Sequence, residues 1–159
     1  MKRKVFLLFL LNSKYPIFRL QIQPNQKIQR MPTLFSKIIN GEIPSYKVAE
    51  DDRFFAFLDI NPNAKGHTLC IPKMEEDKLF DLDEDTYLEL MRFSRKVAKA
   101  LEKSVSCLRV GVAVVGLEVP HVHVHLIPLN DMREMTFQHK VQMTAEEFKE
   151  LAAAIQSNF

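Results

Sequence analysis

Hydrophobic and polar residues alternate without a break over residues 121–126, where three of the five histidines stand two positions apart. The three are His121, His123 and His125. Strict alternation predicts a β-strand, because successive side chains of a strand point to opposite faces of the sheet. The histidines are therefore expected on one face, and Val122, Val124 and Leu126 on the face that packs into the core. Pro128 lacks the N–H that a strand donates, so we expect it to close the strand.

The same hydrophobic patterns predict a sheet of about five strands flanked by helices. The other strands are predicted at residues 47–50, 54–58, 67–71 and 108–115. The last of these is apolar nearly throughout, which predicts burial on both faces of the sheet. Helices are predicted at residues 34–40, at 83–103 as a long amphipathic helix, and from a capping box at Thr144 onwards. This arrangement is typical of an α+β domain with a mainly antiparallel sheet.

Charge divides the chain into two unlike parts. Residues 1–30 contain seven of the 22 basic residues and none of the 20 acidic ones, so the other 15 basic residues leave residues 31–159 with a net charge of −5. The first part is predicted to be a disordered basic extension, and the second a single domain. The extension resembles a signal peptide in its basic start and short apolar run, but it has no small-residue cleavage site. We favour the alternative that Met31 is the true start.

Composition also limits which partners and which cellular compartment are expected. The domain shows no basic patch interleaved with aromatic residues, which argues against a nucleic-acid partner. The apolar run near the N-terminus is far too short to span a bilayer, so no membrane partner is expected either. Cys70 and Cys107 lie far apart, each within a predicted strand, and are expected to be buried, reduced thiols. Together these features favour a cytoplasmic protein.

The row of three histidines has three interpretations. The side chains could be polar residues on the solvated face of an edge strand, although histidine is not favoured on such surfaces. Two of them could bind zinc, because neutral imidazole is a common metal ligand. The interpretation we favour is a nucleophilic imidazole with imidazole neighbours, which suits attack on phosphorus near neutral pH.

The motif resembles the signature of the histidine triad (HIT) family of nucleotide hydrolases and transferases, and in particular its bacterial Hint-like branch. Two further segments carry the same resemblance. They are the helix and turn at residues 35–44, and the stretch at residues 57–73 that contains Gly-His-Thr at 66–68. The resemblance runs from about residue 31 to residue 129. It implies the HIT fold, usually a homodimer that joins two sheets into one, and a purine nucleotide as substrate.

The resemblance also implies roles for individual residues. The middle histidine, His123, corresponds to the nucleophile, which would form a nucleotidyl-histidine that water then hydrolyses. His121 and His125 would orient it and donate hydrogen bonds to the phosphoryl oxygens. His67 would support the triad from behind, although a core histidine is an equally good interpretation.

For the base, the resemblance implies four apolar residues that would otherwise be interpreted as core, which are Phe35, Ile38, Phe57 and Ile60. Asp59 suits the ribose, because a carboxylate can accept from both hydroxyls. No Gly-rich phosphate loop is present, so the phosphate is expected to bind the histidines and backbone amides near Gly116.

The sequence departs from the family pattern in two places. Where many bacterial members have two zinc-binding cysteines and a further histidine, this chain has Thr33, Ser36 and Glu75. Neither a structural zinc ion nor another cofactor is therefore expected. Ahead of the triad, the Hint-like branch has Gly-Gln-Ser-Val, and this chain has Gly-Leu-Glu-Val at residues 116–119. We hypothesise that Glu118, if buried beside the triad, replaces the serine hydroxyl and protonates the leaving group. An equally good interpretation is a surface carboxylate of the loop.

The sequence thus predicts a hydrolase that cleaves a phosphoramidate or phosphoanhydride bond at a nucleoside 5′ α-phosphate. Two alternatives stay open at this point. One is a hydrolase of dinucleoside polyphosphates, which would use the same nucleophile with a different leaving group. The other is a nucleotide-binding protein with vestigial catalysis, which the altered loop before the triad makes credible.

Overall fold

The structure, a computed structural model, describes residues 32–159. The sequence predicts either a disordered basic extension or a segment upstream of the true start for residues 1–30, and both predictions lie outside the described residues. In the part that is described, no helix combines the length and the apolar character needed to cross a membrane.

Three α-helices and five β-strands build the described domain. In chain order they are α1 (Leu34–Ile39), β1 (Lys47–Glu50), β2 (Phe54–Leu58), β3 (Thr68–Pro72), α2 (Glu84–Ser104), β4 (Arg109–Ala113), β5 (Val124–Leu129) and α3 (Ala145–Asn158). The strands form one antiparallel sheet in the order β1-β2-β3-β5-β4. The predicted α+β domain, with an antiparallel sheet, one long helix and a C-terminal helix, is confirmed.

The two long helices pack on the same face of the sheet and enclose the main core with it. Asp83 caps the N-terminus of α2, and its carboxylate accepts a hydrogen bond from a backbone N–H of the first turn over 2.9 Å. α3 begins with the predicted capping box, in which Thr144 and Glu147 satisfy each other's backbone N–H groups. Fully buried members of this core include Leu90, Leu101 and Ile155.

The opposite face of the sheet carries a second, smaller core. Its buried members are Phe35, Phe55, Phe57, Leu69 and Ile71. α1 contributes Phe35, whose ring meets that of Phe57 edge to face, with 5.6 Å between the ring centroids. The Phe35 ring also lies edge-on to the rings of His121 and His123. This second core therefore packs against the histidines on the same face of the sheet.

The triad strand differs from its prediction at both ends. β5 begins at Val124 rather than at the first histidine, because the backbone before it bonds to loops. Val122 donates its N–H to a loop carbonyl oxygen over 2.7 Å. Pro128 does not close the strand but lies inside it, opposite Val110 of β4. Pairing between β5 and β3 has already ended at Leu126, so at this point β5 has only β4 as a neighbour among the described strands. Proline is tolerated in such an edge position. The apolar residues between the histidines nevertheless lie in the main core, as the alternation predicts.

β4 is exposed where the sequence predicts burial on both faces. It is an edge strand that pairs with β5 alone among the described strands. Val112 keeps 52% of its surface exposed, and Leu108, just before the strand, keeps 79%. The prediction was wrong because an apolar run does not distinguish a central strand from an uncovered edge strand. Cys107 likewise precedes β4 and is only half-buried, whereas Cys70 is fully buried within β3 as predicted.

Candidate active site

One ring nitrogen of His123 forms a hydrogen bond to the protein backbone, and the other is available to react. Its Nδ1 lies 2.6 Å from the carbonyl oxygen of His121. A carbonyl oxygen can only accept, so Nδ1 carries the proton, and in the neutral ring Nε2 has a bare lone pair. Within residues 32–159 the structure shows no hydrogen bond to this Nε2. A bare imidazole nitrogen is the form of histidine that acts as a nucleophile.

His125 has the opposite tautomer, which is set by a second histidine behind it. The backbone N–H of Asn63 donates to Nδ1 of His67 over 3.2 Å, so His67 carries its proton on Nε2. That Nε2 lies 3.0 Å from Nδ1 of His125 and donates to it, which places the His125 proton on Nε2. The rings of His125 and His123 meet edge to face, with centroids 4.8 Å apart. A nucleophilic nitrogen and a hydrogen-bond donor therefore belong to neighbouring rings.

We call His67 and His125, which share a hydrogen bond, the paired histidines. Burial keeps both rings neutral. It is the main reason that the pKa of His67 falls from 6.5 to about 3, with a smaller contribution from the neighbouring His125. Burial likewise lowers the pKa of His125 to about 4. The pKa of His121 is lowered for the same reason. Near neutral pH each of these rings is uncharged, so the tautomers deduced from the hydrogen bonds apply.

His121 is fully buried and has both ring nitrogens engaged. Its Nε2 donates to the carbonyl oxygen of Pro72 over 2.8 Å, so its Nδ1 accepts from the hydroxyl of Thr33 over 2.9 Å. The Ser36 hydroxyl lies 2.8 Å from that of Thr33 and donates to the carboxylate of Glu75. In this arrangement the neutral ring has no N–H free for a phosphoryl oxygen, so the predicted donation by His121 would require its bond to Pro72 to break.

The side chains around His121 occupy the positions that the family resemblance compares with zinc ligands. Thr33, Ser36 and Glu75 do come together, but as two hydroxyls and a carboxylate, with the Ser36 hydroxyl and the backbone N–H of Thr33 both donating to Glu75. Zinc prefers thiolate and imidazole ligands in structural sites. This donor set therefore does not fit a structural zinc ion, and the cluster fixes the His121 ring by hydrogen bonding instead.

Asp59 lies beside the paired histidines, directly after β2. One carboxylate oxygen accepts from the backbone N–H of Asn61 over 2.9 Å, and the other lies 3.4 Å from Nδ1 of His67. Burial raises the pKa of this carboxyl. Asp59, His67 and His125 hold one ligand atom each within 4.8 Å of one another, which is a spacing that can suit a metal ion. Both nitrogens of His67 already have hydrogen-bond partners, so an ion here would have to displace them.

The residues predicted to enclose the base are brought together only in part. Phe35 and Phe57 are buried in contact with each other, and Phe35 also packs edge-on against His123 at 5.2 Å between centroids. Ile38 is half-buried against the same cluster. Ile60 keeps 75% of its surface exposed and is not part of this apolar wall.

The loop between β4 and β5 carries Gly116 and Glu118. Glu118 is exposed, and its charge adds to the raised pKa of the Asp59 carboxyl. The hypothesis that Glu118 protonates the leaving group requires burial, because a carboxyl group needs burial to hold a proton near neutral pH. Glu118 does not meet this condition, and its exposure agrees with the alternative of a surface carboxylate. Apart from its own chain neighbours, no atom of residues 32–159 lies within 4 Å of the point where a side chain on Gly116 would begin, so this part of the domain leaves the loop open around it.

A segment after β5 covers the paired histidines, and the sequence analysis misses it. We call residues 134–141 the strap. Phe137 of the strap packs edge-on against His125, with centroids 4.9 Å apart. Lys140 of the strap donates a hydrogen bond to the side-chain oxygen of Asn63 over 2.8 Å. The strap offers one signal in the sequence, a histidine outside the triad, and it has no hydrophobic period that would mark it as an element.

Fold and site together define an α+β protein whose chemistry centres on a row of imidazoles with fixed tautomers. The family model of the HIT domain matches residues 40–132. A protein of Borreliella burgdorferi, described as an uncharacterized HIT-like protein, is 40% identical over 134 residues that cover 79% of this chain and 96% of that protein. The adenosine 5'-monophosphoramidase HNT1 of Saccharomyces cerevisiae is 41% identical over 99 residues that cover 62% of this chain and 63% of the yeast protein.

A solved structure shows the same fold. The crystal structure of a Hit-like protein involved in cell-cycle regulation from Bartonella henselae matches with a TM-score of 0.70 and 33% identity, covering 80% of this chain and 96% of that one. The chain therefore belongs to the histidine triad (HIT) family, as the motif predicts.

Proposed function

We propose that the protein is a hydrolase that cleaves a phosphoramidate or phosphoanhydride bond at the 5′ α-phosphate of a purine nucleotide, with His123 as the nucleophile. The observation that carries the proposal is the pair of opposite tautomers, a bare Nε2 on His123 beside an Nε2–H on His125. A bare imidazole nitrogen attacks phosphorus, and a donor beside it stabilises the charge that develops on the phosphoryl oxygens.

The reaction takes place in two displacements. First, Nε2 of His123 attacks the phosphorus, an N–P bond forms, and the bond to the leaving group breaks. The ring becomes cationic in this step, and the carbonyl oxygen of His121 stabilises it by accepting from Nδ1. Water then attacks the phosphorus, the N–P bond breaks, and the lone pair returns to Nε2. The proton that the attacking water gives up to the solvent balances the proton that the leaving group takes from the solvent in the first step. Two easier steps thus replace one difficult step.

The nucleoside is proposed to lie against residues around the histidines. Asp59 is the proposed ribose ligand, because a fifth of its side chain is exposed and its carboxylate can accept from two hydroxyls. Phe57 and Ile38 are proposed to supply apolar surface for the base, and the exposed Ile60 a further contact. Backbone N–H groups near Gly116 are proposed to bind the phosphate.

The choice of leaving group is supported by a relative. The yeast protein HNT1 is an adenosine 5'-monophosphoramidase, which favours a phosphoramidate over a dinucleoside polyphosphate as the substrate of this chain. The fixed tautomers also favour an enzyme over a binding protein with vestigial catalysis. Binding alone does not require a buried histidine to set the protonated nitrogen of its neighbour.

Hydrolysis of adenosine 5′-phosphoramidate tests the proposal. The full chain is expected to turn the substrate over, and His123→Ala to lose about a thousandfold or more in kcat because the nucleophile is gone. Lys149→Ala, which changes an exposed residue of α3 paired with Glu146, serves as the control and should match the wild type. His123→Ala with wild-type turnover would contradict the proposal. A wild type that binds AMP but hydrolyses neither the phosphoramidate nor a diadenosine polyphosphate would favour the binding protein.

We also propose a homodimer formed through β4. Exposed apolar residues lie just before, within and just after this edge strand. They are Leu108, Val112, Val114, Val115 and Leu117. Unpaired strand edges with exposed apolar side chains readily pair with another chain. Sedimentation of the full chain is expected to show a dimer, and Val112→Arg is expected to shift it to the monomer. A wild type that stays monomeric at high concentration would contradict the proposal.

The proposed location is the cytoplasm. Cys70 and Cys107 are both free thiols, and thiols stay reduced in that compartment. Burial raises the pKa of Cys70 to about 12, which keeps it in the unreactive thiol form. Cell fractionation followed by detection of the protein with an antibody measures the location, and recovery in the exported fraction would contradict it.

A further inference from the structure

Asn63 connects the paired histidines to the strap and is itself fully buried. Its backbone N–H donates to Nδ1 of His67 over 3.2 Å. Its side-chain amide donates to the carbonyl oxygen of Glu134 and accepts from Nζ of Lys140, both over 2.8 Å. Its carbonyl oxygen accepts from Nδ1 of His139 over 3.0 Å. The residue that sets the tautomer of His67 is therefore held by three hydrogen bonds to the strap.

Lys140 fastens the strap to the turn between β2 and β3. Besides its bond to Asn63, the ammonium donates to the carbonyl oxygen of Asn61 over 2.9 Å. It also lies 5.8 Å from the centre of the Phe137 ring, within the range of a cation–π contact. Val141, the next residue, donates its N–H to a carbonyl oxygen of the same turn over 2.9 Å. The cation is thus fixed beside the site.

Phe137 adopts a backbone conformation that bulky residues avoid. Its φ is +60°, and it is the one residue other than glycine with a positive φ in the described part of the chain. Such a conformation persists only where the surroundings enforce it. Here the ring packs edge-on against His125 at 4.9 Å and against His67 at 6.2 Å between centroids. Backbone strain beside a functional group indicates that the position of this side chain matters.

We propose that the strap is a positioning device, in which Lys140 and Phe137 hold Asn63 and the paired rings so that His125 keeps its Nε2–H available to the substrate. The inference depends on the proposed function, in which His125 donates to the phosphoryl oxygens. When the strap is loosened, the N–H of Asn63 no longer fixes His67, and the two rings exchange tautomers. His125 then presents a lone pair to an oxygen that also carries lone pairs, so the chemical step slows while nucleotide binding changes little.

The Lys140 cation also acts on the protonation of the rings. The charged and titratable groups that face the pair from the elements around it are His123, Lys140 and Asp59. Lys140 disfavours a proton on either ring, so it adds to the lowering of both pKa values, which burial causes in the main. Replacing it with a neutral residue raises these pKa values. The acid limb of the profile of kcat against pH is therefore expected at higher pH in such a variant.

Steady-state kinetics of the full chain with adenosine 5′-phosphoramidate test the inference. Lys140→Met is expected to lower kcat about tenfold, as loss of an orienting partner does elsewhere, with KM changed less than about twofold. Its acid limb is expected at higher pH, and Lys140→Arg, which keeps the cation, should restore it. The control is Lys149→Met on the surface of α3, which should match the wild type. Wild-type kcat together with an unshifted acid limb in Lys140→Met overturns the inference.

A second measurement does not depend on activity. Nitrogen-15 NMR of the imidazoles reports which ring nitrogen carries the proton. The wild type is expected to show His67 and His125 protonated on Nε2, and Lys140→Met and Phe137→Gly to show a mixture. Unchanged tautomers in both variants overturn the inference whatever the activity. If the wild type proves inactive on the phosphoramidate while the tautomers respond as expected, the proposed function fails and the positioning role of the strap stands.

Discussion

Nδ1 of His123 donates to the backbone carbonyl oxygen of His121 over 2.6 Å. One member of the triad thus sets the tautomer of another through its main chain rather than through its ring. The His121 ring cannot turn, because Pro72 accepts from one of its nitrogens and Thr33 donates to the other. The carbonyl group that holds the proposed nucleophile is therefore anchored by a buried side chain of the same residue.

Thr33 can be tested without touching the triad. Thr33→Val keeps the shape of the side chain but leaves Nδ1 of the buried His121 without a donor and removes the N-cap of α1. We expect the free energy of unfolding to fall by about 2–3 kcal/mol, from the unsatisfied nitrogen and the lost cap together. Urea denaturation measures the change. Thr33→Ser keeps the hydroxyl and should stay within about 1 kcal/mol of the wild type, so equal losses in the two variants would contradict the account.

The buried pair of histidines makes stability depend on pH. An unfolded histidine has a pKa of 6.5, whereas the folded values are about 3 for His67 and about 4 for His125. Between pH 6.5 and about pH 4 the unfolded chain therefore binds protons that the folded chain does not bind. The free energy of unfolding falls as the pH falls through this window, by about 1.4 kcal/mol per pH unit for each ring kept neutral. Above this pH range the two histidines do not make the free energy of unfolding depend on pH.

Urea denaturation at about pH 7 and about pH 5.5 measures this dependence. The wild type is expected to be less stable at the lower pH. His125→Gln has one titrating ring fewer, so the difference between the two pH values should shrink. Equal stability of the wild type at both values would show that the folded rings take up protons as readily as the unfolded ones.

Gly66 precedes His67 and is held where only glycine fits. Its φ is +92°, and a side-chain carbon built on it would lie 3.0 Å from atoms of Leu101 and of Val105. We expect Gly66→Ala to lose about 2–4 kcal/mol in the free energy of unfolding, from backbone strain and displaced core side chains. Gly41→Ala is the matched control, because its φ is +76° but nothing lies within 4 Å, and it should lose about 1 kcal/mol. Urea denaturation of both variants measures the two losses. Equal losses in the free energy of unfolding would show that contact with Leu101 and Val105 contributes nothing at residue 66.

The sequence predicts some of these features and not others for physical reasons. Alternation over residues 121–126 predicts which face of the sheet carries the histidines, since side-chain direction in an extended chain follows from the period alone. It does not predict where β5 begins, because that depends on backbone partners in distant loops. The bonds of Lys140 to Asn61 and Asn63 join residues 79 and 77 positions apart and leave no local pattern. Tautomers follow from such contacts, so they become readable only in the folded chain.

Glu118 stands where the Hint-like branch has a serine hydroxyl, but it is exposed. The proton-donor role requires burial beside the triad, which this exposed side chain lacks. The charge of Glu118 acts on Asp59 instead, where it opposes ionisation of the proposed ribose ligand. Glu118→Gln removes this charge at nearly constant size, so we expect kcat within about twofold of the wild type and KM unchanged or slightly lower. Leu117→Gln, a change at an exposed neighbour in the same loop, controls for effects on the loop itself. Steady-state hydrolysis of adenosine 5′-phosphoramidate compares the three proteins, and a fall in kcat of about tenfold or more in Glu118→Gln alone would establish a proton-donating Glu118.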